Sequence, residues 1–416
     1  MKQKIGILSL GCPRNLVDAE EIAGRLKAKK YSLVEDLSKA QVVLVNTCAF
    51  IREAKEESIE AILDLVELKK QGRIKKIIVC GCLAQRYRDL FKELPEVDAF
   101  VGAPEPGEPK GRFALTPRHY AYLKICEGCL NRCSYCVIPE IKGPLKSRDE
   151  ESLLRQARLF NRQGISELNI IGQDITGFGV DRAGKSLLPE LLRKIIGATP
   201  DIDWIRLLYL NPERVSDELL ELIASSARVC KYIDLPVQHI NNRILKMMHR
   251  GADREKISAL VKKIRKIIPG VCLRTSLIVG FPSETEEEFE ELLDFVRDTG
   301  FERLGAFIYS REEGTPACRF KGHIPRRIKQ ERFNRVMSAQ QEIAGKINSG
   351  FLGKIIPVLI EEKKGADYLG RTQYDAPEVD GVVYIKSGRV LKPGEFIRAE
   401  ITDTLEYDLV GVDKQK

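Results

Sequence analysis

The chain has 416 residues, 43% of them hydrophobic and 31% charged, with eleven cysteines, four histidines and a net charge of +8. That balance excludes a disordered polypeptide and suggests roughly two to four globular domains, and no apolar run reaches bilayer-spanning length. Scarce histidine leaves little for a His-rich zinc or non-haem iron site, whereas clustered cysteines in a large chain favour metal or redox chemistry over disulfides.

The opening MKQKIGILSLGC resembles a lipoprotein cleavage site, but the apolar stretch before Cys12 is only about half a signal core. RNLVDAEEIAGRL beyond it reads as an amphipathic helix, so a cytoplasmic protein without a membrane partner is expected. KIGILSL, QVVLVNTC and IKKIIVCGC read as strands, with IREAKEESIEAILDLVELKK a helix between the last two. Strands separated by helices imply a parallel sheet with helices on both faces. Cys12, Cys48 and Cys82 fall where these strands end, the end at which open α/β sheets collect ligands.

Residues 103–118, rich in Pro and Gly, read as a linker. Beyond them ELNIIGQD, DWIRLLYL, YIDLPVQH, VCLRTSLIVGF and RLGAFIYS alternate with helical segments, the pattern of a full or partial parallel barrel. EEEFEELLDFVRDTG is an amphipathic helix whose acidic first turns suit the helix dipole and whose charges read as a solvated face. After the long helix RRIKQERFNRVMSAQQEIAGKINSG, residues 350–416 read as a small all-β domain, a five-stranded barrel. The domains expected are therefore 1–105, 115–345 and 350–416.

The pattern with the most chemical content is Cys129-Leu-Asn-Arg-Cys133-Ser-Tyr-Cys136. Three thiolates in eight residues can hold three irons of a 4Fe–4S cluster and leave the fourth open. Cys126 offers a fourth ligand for a structural zinc knot, but no second ligand pair follows it. Cys12, Cys48 and Cys82, taken alone, read as buried structural cysteines. Cys80 competes with Cys82, since residues two apart on a strand face the same way, but Cys82 lies beyond Gly81 at the strand's end.

CxxxCxxC with Tyr before its last cysteine resembles the signature of the radical S-adenosylmethionine superfamily. Its open iron chelates the amino and carboxylate groups of S-adenosylmethionine, and one electron then releases a 5′-deoxyadenosyl radical. GCPRNLVDAE at 11–20, NTCAFI at 46–51, GCLAQR at 81–86 and EGCLNRCSYC at 127–136 together look like the methylthiotransferases, along nearly the whole chain. The resemblance implies an N-terminal open parallel α/β domain, a central radical SAM partial (β/α) barrel and a C-terminal TRAM β-barrel. It further implies two 4Fe–4S clusters, an auxiliary one on Cys12, Cys48 and Cys82 and a radical-generating one on Cys129, Cys133 and Cys136. Cys126 is then a bystander, and Cys230, Cys272 and Cys318 are core residues.

GQDITGFG (172–179), DLPVQH (234–239) and LRTSLIVGF (273–281) match family segments on the S-adenosylmethionine side, which makes Gly172, Gln173, Gln238 and Arg274 candidate cofactor contacts. His239 is a core histidine or a contact. No side chain stands out as a general base. Departures from the family pattern are a short linker after Val101-Gly102, Asn211-Pro212 where an aromatic or His precedes Pro, and Ser283 at a usual Gly.

CPRNLVD at 12–18 and NTCAFI at 46–51 resemble the branch that modifies an aspartate of a small-subunit ribosomal protein, rather than the branch that modifies tRNA adenosine. Residues 350–416 carry ten Lys+Arg against twelve Asp+Glu. An RNA-gripping barrel should be basic, so the acids of APEVDG and DTLEYD read as a face for a basic ribosomal protein. Tyr374 and Tyr384 read as packing residues rather than base-stacking ones. The reaction would also need an electron donor such as flavodoxin or ferredoxin.

Overall fold

The computed structural model describes residues 3–104 and 112–414. The central part of the expected linker, 105–111, lies outside them. The chain divides into two compact units, one of Met1–Thr116, Cys126–Arg148 and Ser310–Cys318, the other of Pro117–Ile125, Asp149–Tyr309 and Arg319–Lys416.

The first unit is built on a five-stranded parallel sheet of β1 (Lys4–Ser9), β2 (Ser32–Val34), β3 (Val42–Thr47), β4 (Lys76–Gly81) and β5 (Ala99–Phe100), in the order β2-β1-β3-β4-β5. Val43, Val45, Ile77 and Val79 are fully buried, as expected for strands covered on both faces. Helix α1 (Pro13–Ala28) leads from β1 to β2, and α2 (Arg52–Lys70) leads from β3 to β4. Right-handed crossovers running in opposite directions across the sheet put these helices on opposite faces. The strand order reverses between β1 and β3, the kind of switch point at which doubly wound sheets bind ligands. From Arg112 onward the expected linker is pinned down. Glu20 accepts from the backbone N–H groups of Leu115 and Thr116 at 2.7 and 3.1 Å and pairs with Arg112. The same unit holds β7 (Cys126–Glu127) after β6 (Tyr120–Lys124), and β8 (Lys146–Ser147), which pairs with β7.

In the second unit, β6 joins β9 (Glu167–Ile171), β10 (Trp204–Leu207), β11 (Tyr232–Asp234), β12 (Cys272–Val279) and β13 (Arg303–Ile308). They form two three-stranded parallel sheets, β10-β9-β6 and β11-β12-β13, with a parallel bridge from Ile205 to Val229. Six parallel strands with intervening helices make a partial (β/α) barrel. The acidic helix Glu286–Thr299 opens with a capping box between Thr285 and Glu288 and ends on left-handed Gly300. Its charges are not merely solvated: Glu288 also binds Arg243, and Glu286 and Glu290 pair with Arg332 and Arg335 of the helix Arg326–Ser349.

The remaining strands, β14 (Ile355–Lys364), β15 (Asp367–Arg371), β16 (Val383–Lys386), β17 (Phe396–Thr404) and β18 (Leu409–Asp413), close into a five-stranded barrel in the order β14-β15-β16-β18-β17. Its core is Val358, Ile360, Val383, Ile385, Ala399 and Ile401. The end of β15 and the loop from it to β16 together reach the N-terminal parts of all six strands of the larger barrel. Glu378 accepts from Tyr120 of β6, Arg371 binds Glu167 of β9, and the Gln373 carbonyl accepts from Arg206 of β10. Asp380 accepts from Tyr232 of β11 and pairs with Arg274 of β12, and Asp375 holds Arg303 of β13 at 2.6 Å.

This corrects part of the reading of APEVDG (376–381) as an outward acidic face: the Asp380 side chain is 4% exposed and pairs with Arg274, as Asp375 just before the segment, 3% exposed, pairs with Arg303, whereas Glu378 is exposed. Asp403 and Glu406 of the second segment do face solvent. Tyr374 is half-buried and packs at 5.7 Å from Phe351.

Candidate functional site

Each cysteine of the first set leaves a parallel strand at its C-terminal end. Cys12 is the N-cap residue of α1, Cys48 follows β3, and Cys82 opens the short helix α3 (Cys82–Arg86) after β4. The chain can make these turns because Gly11 and Gly81 adopt left-handed backbone, at φ +85° and +92°. A Cβ on Gly11 would stand 2.6 Å from Cys48 Cβ and 2.8 Å from its sulfur, so the strand ends meet only across a glycine.

Buried Asn15 ties the three turns together. Its Nδ2 donates to the carbonyls of Leu10 and Thr47, its carbonyl accepts from Asn46 Nδ2, and its Oδ1 lies 3.5 Å from Cys82 Sγ. Ser58 on α2 clasps Cys48, accepting from its N–H at 3.0 Å and donating to its carbonyl at 2.8 Å. Sequence reading passed over both residues. Asn15 sits inside the quoted CPRN motif, but only the fold shows that its carboxamide spans strand ends far apart in the chain.

The electrostatics group the same three sulfurs. Burial pushes the Cys82 thiol up to about 12, Lys142 works against it, and Cys48 and Cys12 add to it. Burial opposes ionisation of Cys12, yet Arg14, whose Nε donates to Cys12 Sγ at 3.4 Å, holds that thiol below its ordinary value. Cys80 stands apart. It lies within β4, its sulfur 3.9 Å from Asn46 Oδ1, and burial raises it to about 12 with Asp18 and Cys82 as like-charged neighbours rather than Cys12 or Cys48.

The second set is local. The loop after β7 is drawn tight by bonds from Cys129 N–H to the Gly143 carbonyl and from Cys136 N–H to the Cys133 carbonyl. Asn131 donates to Cys129 Sγ from both its backbone N–H, at 3.4 Å, and its side chain, at 3.5 Å. Such donors to sulfur tune iron–sulfur ligands. Burial raises the Cys136 thiol to about 12, with Cys133 and Cys129 as charged neighbours. Cys126 is fully buried in β7 opposite Ser147. Among the described residues no three His, Cys, Asp or Glu side chains converge on a point that would seat a single ion. Iron binding to such thiols would release the protons that burial retains.

The chain matches the uncharacterized protein family UPF0004 over residues 4–102, the radical SAM superfamily over 123–296 and the TRAM domain over 352–412. It is 44% identical to the ribosomal protein uS12 methylthiotransferase RimO of Geotalea uraniireducens, across 99% of this chain and 98% of that one. It is 45% identical to the RimO of Pelotomaculum thermopropionicum, across 98% of each. The chain belongs to the RimO family. Its fold also resembles the radical S-adenosylmethionine methyltransferase TsrM from Kitasatospora setae, with a TM-score of 0.55 at 16% identity over 76% of this chain and 77% of that one.

Membership in the radical SAM superfamily implies S-adenosylmethionine and a 4Fe–4S cluster, and the three-thiol loop of this RimO-family chain has the donor chemistry for one. Gly172 and Gln173 lie just past the C-terminal end of β9. Gln238, at φ 73°, follows β11 and bridges to Leu277. These three share the rim where parallel barrels hold their ligands. Arg274 does not. It sits near the start of β12, 2.9 Å from Asp234 and paired with Asp380, at the opposite end of the strands. Its expected cofactor role is therefore replaced by one in anchoring the β15–β16 loop.

His239 is fully buried, and its Nδ1 accepts from the Asn241 N–H at 3.0 Å. Burial lowers it to about 3, so it is a neutral core histidine. Cys230 and Cys272 are buried, whereas Cys318 is partly exposed and is not a core residue. Ser283, at the usual glycine, has φ 62°, the left-handed geometry that explains why glycine is usual there. Among the described residues no helix is long and apolar enough to cross a membrane.

Proposed function

We propose that this chain attaches a methylthio group to the β-carbon of an aspartate in small-subunit ribosomal protein uS12. The observation that carries the reading is identity of 44% to named RimO proteins over 99% of the chain. In this reading Cys129, Cys133 and Cys136 hold the radical-generating 4Fe–4S cluster, and Cys12, Cys48 and Cys82 hold a second one that handles sulfur. Cys126 and Cys80 stay outside both. When bound, the first cluster supplies the electron that cleaves S-adenosylmethionine to a radical able to take hydrogen from carbon.

The protein's part is to bind, orient and exclude water. Gly172 lets backbone approach the cofactor, while Gln173 and Gln238 offer amide groups to its polar edges. Asn131 donates toward Cys129, Arg14 donates toward Cys12, and Asn15 holds the Cys12, Cys48 and Cys82 turns in register. A flavodoxin or ferredoxin is the proposed electron donor, and the cytoplasm the proposed compartment.

The test supplies reduced, iron-loaded protein with S-adenosylmethionine and, in parallel, a peptide copying the uS12 aspartate loop and a tRNA bearing N6-modified adenosine. A methylthio mass gain on the peptide's aspartate is expected. A gain on the tRNA alone would replace this substrate with the alternative.

A further inference from the structure

Three buried ion pairs within the first unit tie the helices that open at Cys12 and Cys82 to segments that flank or bond to the Cys129–Cys136 loop. Helix α1, which starts at Cys12, presents Asp18 and Glu21. The short helix Ile138–Lys142, which follows Cys136, ends in Lys142. Lys142 Nζ is 2.9 Å from Asp18 and 3.6 Å from Glu127, the latter two residues before Cys129, and these side chains are 4%, 3% and 6% exposed. Arg148 Nη1 is 2.6 Å from Glu21, both nearly buried.

The third pair lies beside Cys82. Arg86, the last residue of α3, is 2.8 Å from Glu312, with side chains 2% and 3% exposed, and also donates to the Ala49 and Glu313 carbonyls. The Glu312 segment is in turn fastened to the cysteine loop by the Ala317 N–H donating to the Ser134 carbonyl at 2.8 Å.

Buried ion pairs seldom add stability over apolar residues of the same shape, because desolvation offsets their attraction. Their distinctive property is direction: removing one partner leaves an uncompensated buried charge, so the pair holds the segments that carry it at a set position. We infer that Lys142, Arg148 and Arg86 are positioning residues that fix the separation of the two three-cysteine centres. This rests on the reading that both sets hold clusters. Cleavage of S-adenosylmethionine depends on the Cys129–Cys136 loop, whereas methylthio transfer requires both centres to reach one carbon. Small misplacements penalise such a two-centre step far more than the cleavage.

The experiment compares unmodified protein with Lys142→Met, Glu21→Arg, Arg148→Glu and the Glu21→Arg/Arg148→Glu double reversal. Each is iron-loaded, and three quantities are read: iron per chain, the magnetic dipolar splitting between the reduced clusters, and the ratio of 5′-deoxyadenosine to methylthiolated peptide. Single variants should keep both clusters, change the splitting and raise the ratio by about tenfold or more, with the double reversal restoring both. If Lys142→Met does not fold, the more peripheral Glu21–Arg148 reversal carries the same test. Two clusters with unchanged splitting and ratio in the single variants would overturn the inference. An unmodified protein with one cluster would instead defeat the reading beneath it.

Discussion

The two three-cysteine sets are brought together in opposite ways. Cys129, Cys133 and Cys136 lie within eight residues, so a single loop, drawn in by the Gly143 carbonyl, presents all three. Cys12, Cys48 and Cys82 are separated by whole βα units and meet only because β1, β3 and β4 are neighbours in one sheet. The local site is specified by spacing. The distant one is specified by strand order, by two left-handed glycines and by the Asn15 carboxamide. Damage to the sheet should therefore reach the second site and spare the first.

The largest effects should come from the cysteines. Cys133→Ala is expected to abolish deoxyadenosine formation and product together, as read by chromatography of the reaction. Cys12→Ala should keep deoxyadenosine formation and lose methylthiolation, and loss of both would break the division of labour. Gly11→Ala comes next. Left-handed backbone costs about 1–2 kcal/mol for a residue with a Cβ, and here the Cβ also strikes Cys48 at 2.6 Å. Iron titration should show the sheet-end site depleted and the loop site filled.

Asn15→Ala leaves the Leu10 and Thr47 carbonyls without that donor. Denaturant unfolding should show a loss of about 1–3 kcal/mol, with less iron at the sheet-end site alone. The smallest effect belongs to Cys80→Ala, which should leave iron content unchanged. Lost iron there would move the ligand from Cys82 to Cys80.

Much of this architecture was legible in the sequence because it follows from periodicity. Buried runs such as QVVLVNT and IKKIIVC read as covered parallel strands, and the CxxxCxxC loop carried a family resemblance that pointed to radical S-adenosylmethionine chemistry. The edge strands β2 and β5 were not, since three and two residues carry too little pattern. Nor was the fate of Asp375 and Asp380. A charge count treats every acid as solvated, and only the fold reveals that the loop carrying them meets Arg303 and Arg274 at the foot of the barrel. Arg274 was misread for the same reason: a strand of eight residues has two ends, and the motif does not say which one its arginine serves.

The central claim is that two separate three-thiol sites each hold a cluster. Iron per chain in anaerobically loaded protein tests it directly, measured beside the Cys12→Ala/Cys48→Ala/Cys82→Ala variant. Two 4Fe–4S clusters predict about eight irons in the first and about four in the second. Equal iron in both proteins would contradict the account.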